Sequence, residues 1–218
     1  MNKMDIYVNN QKISYQPLFP LTWGNFFKKL LQDDNFIPRD HGIVGFVLDD
    51  VDSLDIMVEH QDRLVPNTIR KIELFTKDSL SITRDGFAKV ATLIENIKAE
   101  INLAADLYRE GKIQDASGKI VKIMEAIKPM VNFVNSVGMS FNLNFDEILF
   151  NFATKTSLRA KVESFLSTLG EVVSAQEKKD YVEMADFLEY QLIEDMDDWN
   201  KLVAILLKEV EAFSLKSN

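Results

Sequence analysis

The side chains best suited to chemistry are carboxylates concentrated near the C-terminus: Glu183, Asp186, Glu189, Glu194, Asp195, Asp197 and Asp198. In a helical bundle such carboxylates bind two iron or manganese ions when Glu-x-x-His pairs on facing helices project inward. The chain's two histidines, His41 and His60, lie far from this region in sequence. Most of the acids also fall off the apolar stripe of their predicted helix, as on a solvated face. A metal-binding protein or enzyme using these carboxylates is therefore the alternative interpretation. It gains support if Asp186, Glu189, Glu194 and Asp195 point into the bundle within reach of acids on other helices.

Two other polar groups have spacings that fall short of known sites. An acidic run follows a predicted strand at Asp49, Asp50, Asp52 and Asp55. Because Leu54 occupies a ligand position of the EF-hand calcium loop, we interpret this run as an acidic turn. His60 lies beside Glu59 and Asp62, but no serine or threonine has the context of a nucleophile, so we expect a surface histidine.

Composition narrows the classes of function. The chain has 218 residues, 46% hydrophobic and 27% charged, which suits one large domain or two small ones. A net charge of −9 argues against a nucleic-acid partner, which needs concentrated lysine and arginine. No apolar stretch has the length of a signal peptide or membrane span, and cysteine is absent. We expect a cytoplasmic protein with no membrane association and no cofactor.

Two helical hairpins repeat at a spacing of about 68 residues and position the acidic region. The first runs from about Arg84 to Val137 and the second from about Ser157 to Phe213. The shift superposes buried positions, for example Ile97 on Phe165, Ile113 on Tyr181 and Ile120 on Leu188. Apolar residues recur in alternating three- and four-residue steps, which favours knobs-into-holes packing. The pattern predicts an antiparallel four-helix bundle of two duplicated hairpins.

Details of these helices carry further predictions. Gly111 is expected just past the end of the first helix, and Pro129 is expected to bend or break the second. The last helix contains one four-four step, Leu188 to Leu192 to Met196, which shifts its stripe as a stutter does.

The segment between the hairpins is rich in phenylalanine. Phe145, Ile148, Leu149 and Phe152 share one helical face, which predicts a short crossover helix near 145–153. Phe141 and Phe150 fall off that face, as a core wedge or as an exposed apolar contact. The candidate partner-binding residues are Phe141, Phe145, Phe150, Asp186, Glu189 and Asp195.

The N-terminal segment has a different pattern. A short hairpin turns at Asn9-Asn10-Gln11, and Thr22 precedes an amphipathic helix carrying Trp23, Phe26 and Phe27. We expect these aromatic residues to pack on a sheet, with contact to a partner as the alternative. Strands are predicted at 43–48 and 69–75, with a short helix between them near 54–57.

This order resembles the β-grasp (ubiquitin-like) fold, especially small bacterial sulfur-carrier-like versions. Sulfur carriers need a free C-terminal Gly-Gly, whereas Lys77-Asp78-Ser79-Leu80 leads directly into a helix. The resemblance therefore implies an interaction platform without carrier chemistry.

The hairpin corners at 107–113 and 178–190 resemble those of an uncharacterised helical family of bacterial, Firmicutes-type proteins. The first is also similar to a tetratricopeptide corner, with Tyr108, Gly111 and Ala116 in familiar places. Tetratricopeptide units repeat every 34 residues, unlike this chain. The family resemblance implies a fold and no activity.

These observations predict an α+β protein with a β-grasp-like domain over 1–77 and a four-helix bundle over 78–218. The predicted function is non-enzymatic: an adaptor that binds another protein, similar in general character to small acidic helical chaperones and regulators of bacterial secretion and motility. A homodimer is a further possible assembly, and a metal-binding protein or enzyme using the carboxylates is the alternative function.

Overall fold

The computed structural model describes residues 4–217, except the side chains of Val58, Lys216 and Ser217. It is a mixed α+β fold in which a five-stranded sheet is followed by several helices, and 61% of the chain is helical. The chain divides into two compact units, one up to Ile82 and one from Thr83. The predicted boundary at Lys77 lies inside a strand. The first unit reaches Ile82, where the Ile82 side chain packs against Gly42.

The first unit contains all five strands of the larger sheet found in the described part of the chain. Its elements are β1 (Asp5–Val8), β2 (Gln11–Ile13), α1 (Trp23–Leu31), β3 (His41–Leu48), β4 (Val51–Asp52), α2 (Leu54–Glu59) and β5 (Lys71–Asp78). The strand order is β2-β1-β5-β3-β4; β1 runs parallel to β5, and the other neighbours are antiparallel. The predicted sequence of elements is confirmed, with β4 as an addition that the sequence did not indicate.

Turn and cap residues explain why this unit folds as it does. Asn9 and Asn10 have positive φ angles of 47° and 66°, which a tight hairpin turn requires. The Thr22 hydroxyl accepts a hydrogen bond from the Asn25 amide at 3.3 Å and caps α1. Trp23 and Phe46 meet edge to face at 5.2 Å between ring centroids in the core over the sheet. Core packing of the α1 aromatic residues is thus confirmed.

The acidic run after β3 forms a tight turn. Asp49 and Asp50 both have positive φ angles, and the Asp49 carboxylate accepts hydrogen bonds from the amides of Arg70 and Lys71. Asp50 forms an ion pair with the Lys71 amine at 3.1 Å. These carboxylates therefore tie the β3–β4 turn to the start of β5, as expected of an acidic turn.

The helices follow in two hairpins. Their elements are α3 (Ser79–Arg109), α4 (Ile113–Ser140), β6 (Leu149–Asn151), β7 (Thr156–Ser157), α5 (Leu158–Lys178), α6 (Tyr181–Asp186), a π-helical segment (Phe187–Leu192) and α7 (Ile193–Ser217). The left-handed residues at the two corners are Gly111 and Lys179, with φ angles of 73° and 59°. Helices begin two residues later, at Ile113 and Tyr181, as the repeat of about 68 residues predicts.

The long helices pack against one another through side-chain contacts along their lengths. The predicted stripe of α3 is buried throughout: Phe87, Val90, Ile94, Ile97, Ile101, Ala104 and Tyr108. Helices α3 and α4 meet through Phe87–Phe133, Glu100–Lys119 and Tyr108–Ser117. Helices α3 and α7 meet through Arg84–Glu211 and Lys98–Asp197, and α5 meets α7 through Phe165–Trp199. Both α3 pairs run antiparallel, since residue numbers rise on one helix as they fall on the other.

Two phenylalanine rings lie over glycines. The Phe133 ring occupies the space that a β-carbon on Gly86 would need. A β-carbon on Gly138 would lie 2.7 Å from the Phe145 ring. Glycine at each position therefore lets the ring approach the helix backbone closely. Helix α4 continues across Pro129 without the break that was one of the two predicted outcomes.

The predicted crossover helix near 145–153 is wrong. Turns at 145–148 lead into an antiparallel hairpin of β6 and β7. The reason is local competition for backbone donors, because asparagine side chains bind nearby amides. The Asn144 side chain accepts a hydrogen bond from the Asp146 amide, and the Asn151 side chain accepts one from the Ala153 amide.

Candidate functional site

An exposed pocket lies on one side of α6 and the π-helical segment. We call it the α6 pocket; it has a volume of about 650 Å³ and is lined by Asp180, Val182, Glu183, Asp186, Phe187, Tyr190 and Gln191. Val182 is 75% exposed and Tyr190 is 68% exposed, although both side chains are apolar over most of their surface. Together in one pocket lining, these two residues make an apolar surface edged by acids, which is typical of interaction sites.

The π-helical segment explains why apolar side chains reach this surface. A π-helix closes its hydrogen bonds over five residues, so it holds more residues per turn than an α-helix. The four-four step of the sequence, Leu188 to Leu192 to Met196, spans this segment, and all three side chains are fully buried. The wider turn keeps the core stripe in phase while Tyr190 points to solvent. Such segments occur frequently at functional sites.

The pocket is acidic, and a single arginine lies beside it. The Asp180 carboxylate caps α6 by accepting a hydrogen bond from the Glu183 amide at 3.0 Å. Arg109 of α3 forms an ion pair with Glu189 and lies 3.7 Å from the Asp186 carboxylate. The hydrogen bond to Glu189 raises the pKa of Arg109. The seven residues that line the pocket include three carboxylates and no lysine or arginine.

Asp195 belongs to a different cluster, buried between α5 and α7. It is fully buried, and its Oδ1 lies 3.3 Å from the Lys161 amine. The same amine lies 2.7 Å from Asp198, which also pairs with Lys201 at 2.8 Å. Asp195 Oδ2 and Trp199 Nε1 have no hydrogen-bond partner among the described protein atoms. Asp195, and to a smaller degree the half-buried Asp198, thus depart from the predicted solvated face.

The electrostatics of this cluster follow from Lys161. Burial by itself raises the pKa of Asp198, but hydrogen bonds from Lys161 and Lys201 outweigh it and lower the pKa below its usual value. Burial likewise opposes the charge of Lys161, and its two carboxylate partners outweigh that effect and raise its pKa. Lys161 and Lys201 therefore balance Asp195 and Asp198, two of the acids that the sequence offered as metal ligands.

The phenylalanine-rich segment lines a second cavity, which we call the crossover groove. It measures about 660 Å³, and its lining includes Phe150 and Phe152 from the β6 hairpin and Ile205 and Lys208 from α7. Phe152 is 81% exposed. Of the predicted partner-binding phenylalanines, only Phe150 lies at this groove.

The other two phenylalanines act as core wedges. Phe141 is buried and meets Phe213 edge to face, with 5.9 Å between ring centroids. Phe145 is buried against Gly138.

The six predicted site residues therefore separate into three places. Asp186 lines the α6 pocket, with Glu189 next to it through their shared partner Arg109, and Phe150 lies at the crossover groove. Phe141, Phe145 and Asp195 are buried. Sequence reasoning missed Val182 and Tyr190. Their signal was present, since both lie off the apolar stripe beside the four-four step. Among the residues that the structure describes, no group of three or more histidine, aspartate or glutamate side chains is arranged to hold a metal ion.

Comparison with known proteins places the helical part in a family. Residues 86–202 match the family model of the domain of unknown function DUF8042. The chain belongs to this family. The match covers more than half of the chain and includes both corners, the α6 pocket and Asp195. No curated protein and no solved structure matches the sequence. Within the described residues, no helix has the length and apolar character needed to cross a membrane.

Proposed function

We propose that this DUF8042-family protein is a non-enzymatic interaction protein that binds another protein through the α6 pocket. The observation that carries the proposal is the exposure of Val182 and Tyr190 in a shallow, acid-edged surface pocket. Burying such side chains against a partner removes apolar area from water and supplies the main driving force for association. Tyrosine is also enriched at interfaces because its ring is apolar and its hydroxyl is polar. An adaptor acting in the cytoplasm is the setting that we infer.

Contacts within the acidic region favour interaction over carboxylate chemistry. Asp195 and Asp198 share the Lys161 amine, and Glu189 is paired with Arg109. The charge of such a carboxylate is already balanced by a lysine or arginine of the protein, as in a structural ion pair. The same contacts join α5 to α7 and α3 to the π-helical segment.

The fold that we propose for the two units is a β-grasp domain and an antiparallel four-helix bundle. A central parallel pair, β1 and β5, flanked by antiparallel strands in the order β2-β1-β5-β3-β4 supports the first assignment. Antiparallel contacts of α3 with both α4 and α7 support the second. Both are scaffolds that present surfaces, and neither by itself dictates a reaction.

Site-specific photo-cross-linking tests the interaction. A photo-reactive phenylalanine derivative replaces Tyr190 in the full-length protein, and Leu166, a half-exposed residue of α5, provides the control position. We expect a discrete cross-linked species from extract of the source cells at position 190 only. Excess unlabelled wild type should suppress it, whereas excess V182S/Y190S variant should not. Equal suppression by both competitors would contradict the proposal.

A further inference from the structure

We propose that the partner presents a cationic amphipathic segment, with lysine or arginine side chains beside an apolar anchor, to the α6 pocket. This inference rests on the proposed function and adds the chemistry of the occupant. It follows from the charge around the pocket, the shape of its apolar centre and the state of the neighbouring arginine.

The charge argument comes first. Asp180, Glu183 and Asp186 line the pocket, and the lining holds no basic residue to offset them. Arg109 forms an ion pair with Glu189 and a longer one with Asp186, whose 3.7 Å separation exceeds hydrogen-bonding distance, so it offsets only part of the Asp186 charge. The Asp186 carboxylate therefore keeps hydrogen-bonding capacity for a cation from outside. Like-charge repulsion disfavours an acidic partner at the same place.

The apolar centre supplies the second requirement. Val182 and Tyr190 are largely exposed and Phe187 is half-buried, so an apolar side chain placed on this surface would bury apolar area against them. The Tyr190 ring also offers its face to a cation, an attraction that is strongest when water is excluded. An amphipathic helix carries both kinds of side chain on one face and fits a groove through residues three or four apart.

The rest of the protein's charge defines the control that the test needs. A net charge of −9 attracts any cationic peptide weakly at all surfaces. Glu163, Glu171 and Glu177 are exposed carboxylates of α5 that lie outside the pocket lining. Replacing these three by glutamine changes the net charge as much as neutralising the three pocket acids. The two triple variants therefore separate local recognition from general attraction.

The experiment uses the protein and a fluorescein-labelled helical peptide of leucine and lysine, about 18 residues long. A labelled leucine–glutamate peptide of the same pattern is the comparison. Fluorescence anisotropy gives the dissociation constants. We expect the lysine peptide to bind and the glutamate peptide to bind at least about tenfold more weakly. Raising the salt concentration from about 50 to about 300 mM should weaken binding by about tenfold, because screening shortens the range of the attraction.

Variants locate the site. D180N/E183Q/D186N should weaken lysine-peptide binding by about tenfold, the sum of three modest ion pairs, while asparagine at position 180 still caps α6. For E163Q/E171Q/E177Q, the dissociation constant of the lysine peptide at the higher salt concentration should stay within about twofold of the wild-type value. Circular dichroism checks that each variant folds. Glu183→Lys, a single change at an exposed residue, serves if the triple variant is unfolded, and it should weaken binding by at least as much.

The outcomes distinguish this inference from the proposed function. Equal loss of binding in the two triple variants, or failure of the lysine peptide to bind, overturns the cationic occupant. Preference for the glutamate peptide with loss of binding in V182S/Y190S also overturns it, but leaves the α6 pocket as an interaction site. Full binding of the lysine peptide by V182S/Y190S overturns both.

Discussion

At the scale of single residues, Lys161 determines the character of the acidic region. Its amine reaches Asp195 and Asp198, so two carboxylates on one helix are held by one cation from another. A buried ion pair of this kind contributes little net stability but makes the loss of either partner costly. The local geometry of α5 and α7 is thereby specified by charge as well as by apolar packing.

The lowered pKa of Asp198 predicts a specific response to acid. Because its pKa is lower in the folded than in the unfolded protein, the stability it contributes is complete above about pH 5 and is lost as pH falls through the folded value. In Asp198→Asn, the free energy of unfolding should therefore fall less between about pH 5 and pH 2.5, by about 1 kcal/mol. Urea denaturation across this range measures the difference.

The matched control is Asp197→Asn. Asp197 is about half exposed and pairs with Lys98 at 2.7 Å, so its acid dependence should change by less than that of Asp198. Equal flattening of the two pH profiles would show that Lys161 does not govern the acid response.

At the scale of elements, the two hairpin corners have the same backbone conformation but different residues. Gly111 and Lys179 both adopt left-handed conformations before a new helix begins. Only glycine adopts this conformation without steric cost from a β-carbon. The second corner therefore carries strain that the first avoids.

Exchanging the corner residues should change stability in opposite directions. Gly111→Ala should lower the free energy of unfolding by about 1 kcal/mol, and Lys179→Gly should raise it by up to about 1 kcal/mol. Gly118→Ala is the control, since Gly118 lies in α4 with open space around it and alanine there should stabilise by about 1 kcal/mol. Thermal or urea denaturation tests all three; a stabilising Gly111→Ala would contradict the assignment.

The π-helical segment should tolerate loss of one residue. Deletion of the exposed Gln191 removes the extra residue of the wide turn, so an α-helical turn can replace it while Leu188 and Met196 stay in phase. We expect this variant to fold with a loss of about 2 kcal/mol or less and to lose lysine-peptide binding, because Tyr190 is displaced. Deletion of the exposed Ala204 in α7, where no wide turn holds an extra residue, should lower the free energy of unfolding by at least about 3 kcal/mol, because core side chains are misplaced.

Hydrophobic periodicity predicted the long helices well and the short connection badly. In α3 the period alone identified every buried position from Phe87 to Tyr108 except Ala105, because burial dictates residue type over many turns. Between the hairpins, four apolar residues matched a helical face by spacing only. The side chains of Asn144 and Asn151 determine the backbone there by binding nearby amides, which a period of apolar residues cannot register.

At the scale of the whole molecule, the candidate site depended on contacts between residues distant in sequence. Asp186 and Glu189 could be singled out by composition, but their relation to Arg109 joins positions on different helices. Asp195 gave the same sequence signal as its exposed neighbours, since a buried acid and a solvated acid on one helix differ only in what packs against them. The exposure of Val182 and Tyr190 could be established only from the structure, because the π-helical segment determines which side chains face the core.

Each compact unit contains one of the chain's two tryptophans, Trp23 and Trp199. Fluorescence of a Trp23→Phe variant therefore reports the helical unit, and fluorescence of Trp199→Phe reports the sheet unit. Lys161→Met leaves Asp195 buried without its cation and should lower the urea midpoint seen by Trp199, at a cost of about 3 kcal/mol. The midpoint seen by Trp23 should stay unchanged. A parallel shift of both would mean that the chain unfolds as one cooperative unit.

The rings above Gly86 and Gly138 have a consequence for the family's evolution. Both glycines and both rings fall within the matched region, and neither glycine can gain a β-carbon while its phenylalanine stays in place. Substitutions at 86 and 133, and at 138 and 145, should therefore be correlated across family members, with a larger residue at the glycine position accompanied by a smaller one beneath it. Independent variation within a pair would show that the two backbone segments lie further apart in other members. Correlated changes at 86 and 133 would therefore report the distance between α3 and α4 across the family, and those at 138 and 145 the distance between α4 and the connection that follows it.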